Sequence, residues 1–172
     1  SVVDSKTASM AQGFMALAAA KAAQAGKTRN EILQIIENVR EQTAIFVAVP
    51  TLKYLAKSGR VGSIKSLIAS VLSIKPILGV NEGLVDVVEK VRSYPRALRR
   101  LISLVEERFP ATKLNIAVLH SNAPEMAVEF KARIRERLSC ARIFIAEMST
   151  SLAAHGGREM LGIAAYSGSE LD

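Results

Sequence analysis

Apolar residues recur along this chain with two different periods, and the switches between them mark out its elements. Met10 to Ala25 is Ala-rich and free of proline, and its few large side chains, Met10, Phe14 and Leu17, fall on one helical stripe. Gly26 fits the position just past that helix. Thr28 and Glu31 have capping-box spacing, and Ile32, Leu33, Ile36 and Val39 continue at helical intervals. Ala44 to Val49 is a short apolar run stopped by Pro50, which reads as a buried strand. Thr51 to Lys57 and Ser63 to Ser73 read as helices. Pro76 to Val80 and Leu84 to Val91 read as paired strands joined through Asn81-Glu82-Gly83. In the second of these, alternation puts Val85, Val87, Glu89 and Val91 on one face, with Arg92 or Arg60 as the cation for Glu89.

The second half alternates strand and helix. Pro95 to Phe109 has Leu98, Leu101, Ile102 and Val105 on its inward face, and Pro110 ends it. A strand from Lys113 to Leu119 follows. Asn122 and Glu125 have capping-box spacing before a helix with Met126, Phe130, Ile134 and Leu138 inward. Arg142 to Met148 is a strand, Thr150 to Ala154 a helical turn, and Met160 to Tyr166 a last strand. The polar tail from Ser167 to Asp172 is expected to fray. This order predicts an α/β fold, with helices packed on a mixed sheet.

Composition narrows the possible functions. The chain has 172 residues, 49% of them hydrophobic and only 5% aromatic, so its core is built from Leu, Ile, Val and Ala. One cysteine, Cys140, cannot form an internal disulfide and suits a reducing compartment; a cytoplasmic protein is expected. No apolar run reaches the roughly 20 residues of a membrane span. The net charge is +7, and Lys90, Arg92, Arg96, Arg99 and Arg100 crowd into one stretch. Such a patch suits an acidic surface, a phosphate or nucleic acid, and equally a solvated helix face.

Catalytic signatures are missing. One Cys and two His give no zinc pattern, and no phosphate-binding glycine loop or nucleophile elbow is present. No catalytic residue, metal or cofactor is assigned. Ser5, Thr7 and Ser9 stand where a strand gives way to a helix, a place that suits an anion and also ordinary N-capping. His155 sits among small residues in Ala153-Ala154-His155-Gly156-Gly157, able to bond a carboxylate or simply to face water. Arg60 lies between Gly59 and Val61-Gly62, either fixed by the backbone or part of a surface ion pair.

Five motifs in order, DSKTASMAQG from Asp4, LKYLAKSGRVG from Leu52, SLIASVLSIKPIL from Ser66, EKVR from Glu89 and SLAAHGG from Ser151, resemble the DegV family of bacterial fatty-acid-binding proteins. The resemblance runs from about Val3 to Tyr166. It implies a DegV-like C-terminal domain over residues 1–172, with residues 1–25 at the junction with a largely absent N-terminal Rossmann-like domain. It implies a lipid-binding carrier rather than an enzyme. A long-chain fatty acid such as palmitate would lie in an apolar tunnel, and its carboxylate would be presented to a fatty acid kinase that makes the acyl phosphate. By resemblance, Ser9 and His155 hold the carboxylate, Arg92 lies near the tunnel mouth, and Arg60 matches a G-R-I element. Met10, Phe14, Ile68 and Leu72 are candidate tunnel lining, positions that core packing explains as well. The chain departs from the family's H-x-G-P-G at His155-Gly156-Gly157-Arg158-Glu159, and the threonine-serine loop of the N-terminal domain has no counterpart.

Two alternatives compete with the carrier. A nucleic-acid-binding module would use Lys90 to Arg100, although Tyr94 is the only aromatic there for base stacking. A hydrolase would use Ser9 and His155, but no third group to orient the histidine can be named.

Overall fold

The computed structural model describes residues 1–57 and 74–171. Two helices open the chain, α1 (Ser9–Gln24) and α2 (Arg29–Glu41), followed by β1 (Thr43–Ala48) and the short α3 (Lys53–Lys57). A hairpin of β2 (Lys75–Asn81) and β3 (Leu84–Val91) leads into α4 (Tyr94–Arg108). Then come β4 (Leu114–His120), α5 (Pro124–Arg137), β5 (Cys140–Glu147), α6 (Thr150–Gly156) and β6 (Leu161–Tyr166). The strands form one six-stranded sheet in the order β3-β2-β1-β6-β4-β5. Only β4 and β5 pair in parallel; every other neighbour is antiparallel, so the sheet is mixed. The helix expected over residues 63–73 lies outside the described residues, as do Arg60, Ile68 and Leu72.

The core has two layers, one on each face. Along β4, Leu114, Ile116 and Val118 join Leu101, Val105, Phe130 and Ile134 of α4 and α5. The alternate residues Ala117 and Leu119 join Phe14, Met15 and Ala18 of α1 on the opposite face. Strands β4 and β6 are buried along their whole lengths, which explains why they read as unbroken apolar runs.

Local signals explain the element ends. Glu31 N–H donates to Thr28 Oγ1 at 3.4 Å, while the Glu31 carboxylate accepts from Thr28 N–H at 2.8 Å, completing the expected capping box. At the end of α1, Gly26 N–H bonds the Ala23 carbonyl and Lys27 N–H bonds that of Ala22, each at 3.0 Å. Glu82 and Gly83 turn the hairpin with φ of +47° and +79°, a geometry that matches the twist of paired strands.

Four expectations are corrected. Leu17 is 48% exposed; α1 instead buries Ala11, Phe14, Met15, Ala18 and Ala22, a face whose small residues allow close packing. Glu89 does not share the face of Val85 and Val87, because the pairing shifts between Ile77 and Leu78 and leaves Val88 as the extra residue. Glu89 therefore turns toward α4, where Arg100 Nε donates to it at 2.6 Å in place of the expected Arg92; the other expected cation, Arg60, lies outside the described residues. Asn122 does not cap α5; the N-cap is Ala123, and its N–H donates to His120 Nδ1 at 3.3 Å. The tail is tied down through residue 171: Ser167 N–H bonds the Gln42 carbonyl at 3.1 Å, Tyr166 contacts Glu170, and Leu171 is buried.

The capping box yields a pH prediction. Backbone and side-chain bonds from Thr28, then one from Lys27, hold the Glu31 carboxyl at about 2, below its ordinary 4.5. A carboxyl lowered on folding stabilises above its unfolded value, and that contribution is lost as pH falls through the folded one. Urea unfolding should find Glu31→Gln less stable than wild type at pH 7, with the gap closing between pH 4.5 and about 2. A gap that stays constant over that range would contradict the assignment.

Candidate functional site

Strands β1, β4 and β5 end on the same side of the sheet, and the loops there carry the left-handed residues Asn122, Gly157 and Glu159. The α1 face of the hairpin, the first residues of α1, and α3 and α6 enclose a cavity of about 180 Å³. Ile45 and Val47 of β1 and Leu78 and Val80 of β2 form its sheet wall. Leu55, Met148, Leu152 and Met160 close the helical side. The usual small-molecule pocket is roughly 300–1,000 Å³. The described residues therefore enclose only part of what a long acyl chain would fill.

Two polar groups from opposite ends of the chain line this apolar cavity. Ser9, the first residue of α1, has φ of +56°, in the left-handed region. No side chain caps α1, its first turn holds no acidic residue, and Ser9 Oγ makes no hydrogen bond among the described residues. The capping reading of Ser9 and Thr7 thus does not hold, and the positive end of the helix dipole stays uncompensated. Ser5 is engaged elsewhere, its Oγ donating to the Thr7 carbonyl at 3.3 Å. His155 lies in the last turn of α6, and its Nδ1 is buried with no partner among the described residues. Together these groups offer hydrogen-bond donors to an anion at the end of an apolar slot.

The following glycines shape this corner. Gly157 has φ of +93°, and a Cβ there would stand 2.4 Å from the Tyr54 ring, so only glycine fits without displacing the ring. Arg158 donates at 2.6 and 3.0 Å to the Asn122 amide oxygen, once that amide is turned to face it.

The other predicted residues are dispersed. Arg92 does not line the cavity; it is exposed just past β3. It precedes Tyr94, whose hydroxyl donates at 2.5 Å to the Glu159 carbonyl in the loop after α6. Met10 and Phe14 are not in the cavity wall either. Phe14 is fully buried, with its ring 6.3 Å from Phe144 and 5.9 Å from Tyr166. In the basic stretch, Arg100 is tied to Glu89 and Glu107, while Lys90, Arg92, Arg96 and Arg99 are exposed. Cys140 is half-buried, and burial pushes its thiol pKa up, which disfavours the reactive thiolate.

The wall residues Leu55, Leu152 and Met160 escaped the sequence reading, although Leu55 and Leu152 stand inside the quoted motifs. A second cleft, about 560 Å³, opens near Lys6, Arg40, Glu82 and Arg108. Its cations are already engaged: Lys6 with Glu82, Arg40 with Glu37, and Arg108 with the Glu41 carbonyl. Among the described residues, no helix is long and apolar enough to cross a membrane, and no acidic, His or Cys cluster could hold a metal.

Comparison with known proteins follows the same outline. A DegV domain-containing protein of Streptomyces coelicolor is 36% identical over 163 residues, covering 94% of this chain and 58% of the relative. The crystal structure of a fatty acid binding DegV family protein from Streptococcus agalactiae superposes with a TM-score of 0.88 at 29% identity, covering 98% of this chain and 60% of that one. A DegV family protein from Ruminococcus gnavus, solved with vaccenic acid, has a TM-score of 0.84 at 28% identity, covering 95% and 59%. The chain thus spans about three fifths of the length of the relatives it matches. The family model described as "Uncharacterised protein, DegV family" matches residues 1–168, and the chain belongs to that family.

Proposed function

We propose that this chain is part of a fatty-acid carrier. The acyl tail lies against the wall formed by Ile45, Val47, Leu78 and Val80, and the carboxylate accepts hydrogen bonds from Ser9 and His155. One observation carries the reading: Ser9 and His155, almost the whole chain apart, line one apolar cavity, and the buried His155 Nδ1 has no partner among the described residues. A buried imidazole nitrogen without a partner is costly, and an anion with an apolar tail would relieve it. Each buried methylene contributes about 0.8 kcal/mol, so a palmitoyl tail would gain over about 10 kcal/mol before the costs of ordering. Relatives of the same fold support the class of ligand, since the Streptococcus agalactiae protein is described as fatty acid binding.

The carrier holds its ligand without transforming it. Its carboxylate is presented to a fatty acid kinase, which forms the acyl phosphate. Arg92 is exposed two residues before Tyr94, whose hydroxyl reaches the loop after His155, so it stands where a partner reaching that loop would meet it. Arg60, Ile68 and Leu72 remain part of this proposal through the family motifs alone.

Native mass spectrometry of the freshly purified protein should show a co-purified fatty acid. A uniformly ligand-free mass, with no heat on titration with palmitate, would contradict the carrier. His155→Ala should weaken palmitate binding about ten-fold, the loss of a charge-assisted hydrogen bond, without lowering the melting temperature. Equal affinity would remove His155 from the site. Arg92→Ala should leave palmitate affinity unchanged and slow kinase-coupled phosphorylation; wild-type turnover in that variant would remove Arg92 from the docking surface.

A further inference from the structure

The loop after His155 is fastened by groups that stay out of the cavity. Ser121, just past β4, is only 2% exposed and makes three bonds to this loop. Its N–H donates to the Met160 carbonyl at 3.1 Å, and its carbonyl accepts from Glu159 N–H at 2.7 Å. Its Oγ donates to the Gly157 carbonyl at 2.9 Å. The Tyr94 hydroxyl, from the first turn of α4, adds a bond to the Glu159 carbonyl at 2.5 Å. Burial, the leading cause, pushes this phenol well above its ordinary value, so it stays a donor throughout the neutral range.

His155 itself has weaker anchors. It is the penultimate residue of a seven-residue helix whose side-chain cap, Ser149 Oγ accepting from Leu152 N–H, is long at 3.4 Å. A helix that short does not hold its own geometry in water. The direction of the imidazole is therefore set by what fixes the next few residues. Gly157 N–H closes the last turn of α6 by donating to the Ala153 carbonyl at 2.8 Å, so whatever holds Gly157 also holds the turn that carries His155. The two hydroxyl bonds end on the carbonyls of Gly157 and Glu159, two and four positions beyond His155.

We infer that Ser121 and Tyr94 are positioning residues for His155, clamping the loop over residues 157–160 so that the imidazole faces the cavity. The inference rests on the fatty-acid reading of the cavity only for its consequence on binding. The clamp itself can be tested without ligand.

Palmitate titration calorimetry on the full chain would compare wild type, Ser121→Ala, Tyr94→Phe and each combined with His155→Ala. Each single substitution should weaken binding about five- to ten-fold, the range expected for one lost buried hydrogen bond. In the His155→Ala background the same substitutions should change affinity less than about two-fold, because they act through the imidazole. Equal losses in both backgrounds would overturn the inference. Tyr94→Phe keeps the ring and removes only the hydroxyl, so it carries the test if Ser121→Ala does not fold. The second readout is the NMR signal of the His155 ring without ligand, which should shift or broaden in either variant. An unchanged His155 signal in a folded Tyr94→Phe protein would overturn the clamp. Absence of palmitate binding by wild type, with the His155 signal still responding, would overturn the fatty-acid reading and leave the clamp standing.

Discussion

A hydrogen-bonding group placed in an apolar wall has to find a partner, and this requirement governs the chain's most distinctive corner. Burying an amide- or hydroxyl-like group unpaired costs about 1–3 kcal/mol by mutational measures. Most buried polar groups here meet the requirement internally: Ser121 through the loop after α6, and His120 Nδ1 by accepting from Ala123 N–H. His155 Nδ1 and Asn115 Oδ1 do not, among the described residues; of these two only His155 lines the apolar cavity, where the partly exposed Ser9 hydroxyl also stands. In the proposed carrier, an anion with a hydrocarbon tail would satisfy the hydroxyl, the imidazole and the open end of α1 together, while covering the aliphatic wall.

The rest of the fold brings that corner together. The sheet lets β4 and β6 run through the centre, covered on both faces, so the strand ends at the cavity edge are held by a rigid core. The hairpin β2–β3 supplies part of the wall while sitting at the sheet edge, where its bulge and the Glu89–Arg100 pair fix which face each residue takes. Without the shift at Val88, Glu89 would share the face of Val85, itself a cavity residue, and would bring a carboxylate toward the proposed carboxylate site.

Much of this was legible in the sequence wherever the signal is local. The Thr28–Glu31 box, the Glu82-Gly83 turn and the inward face of α4 depend on residues a few positions apart, and all three stand as read. The misreadings depend on distant partners. Leu17 fits a large-residue stripe, but α1 packs through alanines. Strict alternation hides a bulge at Val88, and Asn122 has capping spacing while His120 takes the bond. The polar tail looked loose because its anchors, Gln42 and Lys21, lie far away in sequence. At the site, the family motifs drew attention to Ser9 and His155. The clamp by Ser121 and Tyr94 ends on backbone carbonyls, which leave no side-chain pattern to read.

The measurement closest to the central claim is a crystal structure of the protein grown with palmitate. The account predicts the tail along Ile45, Val47, Leu78 and Val80, with carboxylate oxygens within hydrogen-bonding distance of Ser9 Oγ and the His155 ring. A carboxylate held elsewhere, or a lipid in the cleft beside Arg40 and Arg108 with the Ser9–His155 cavity empty, would contradict it.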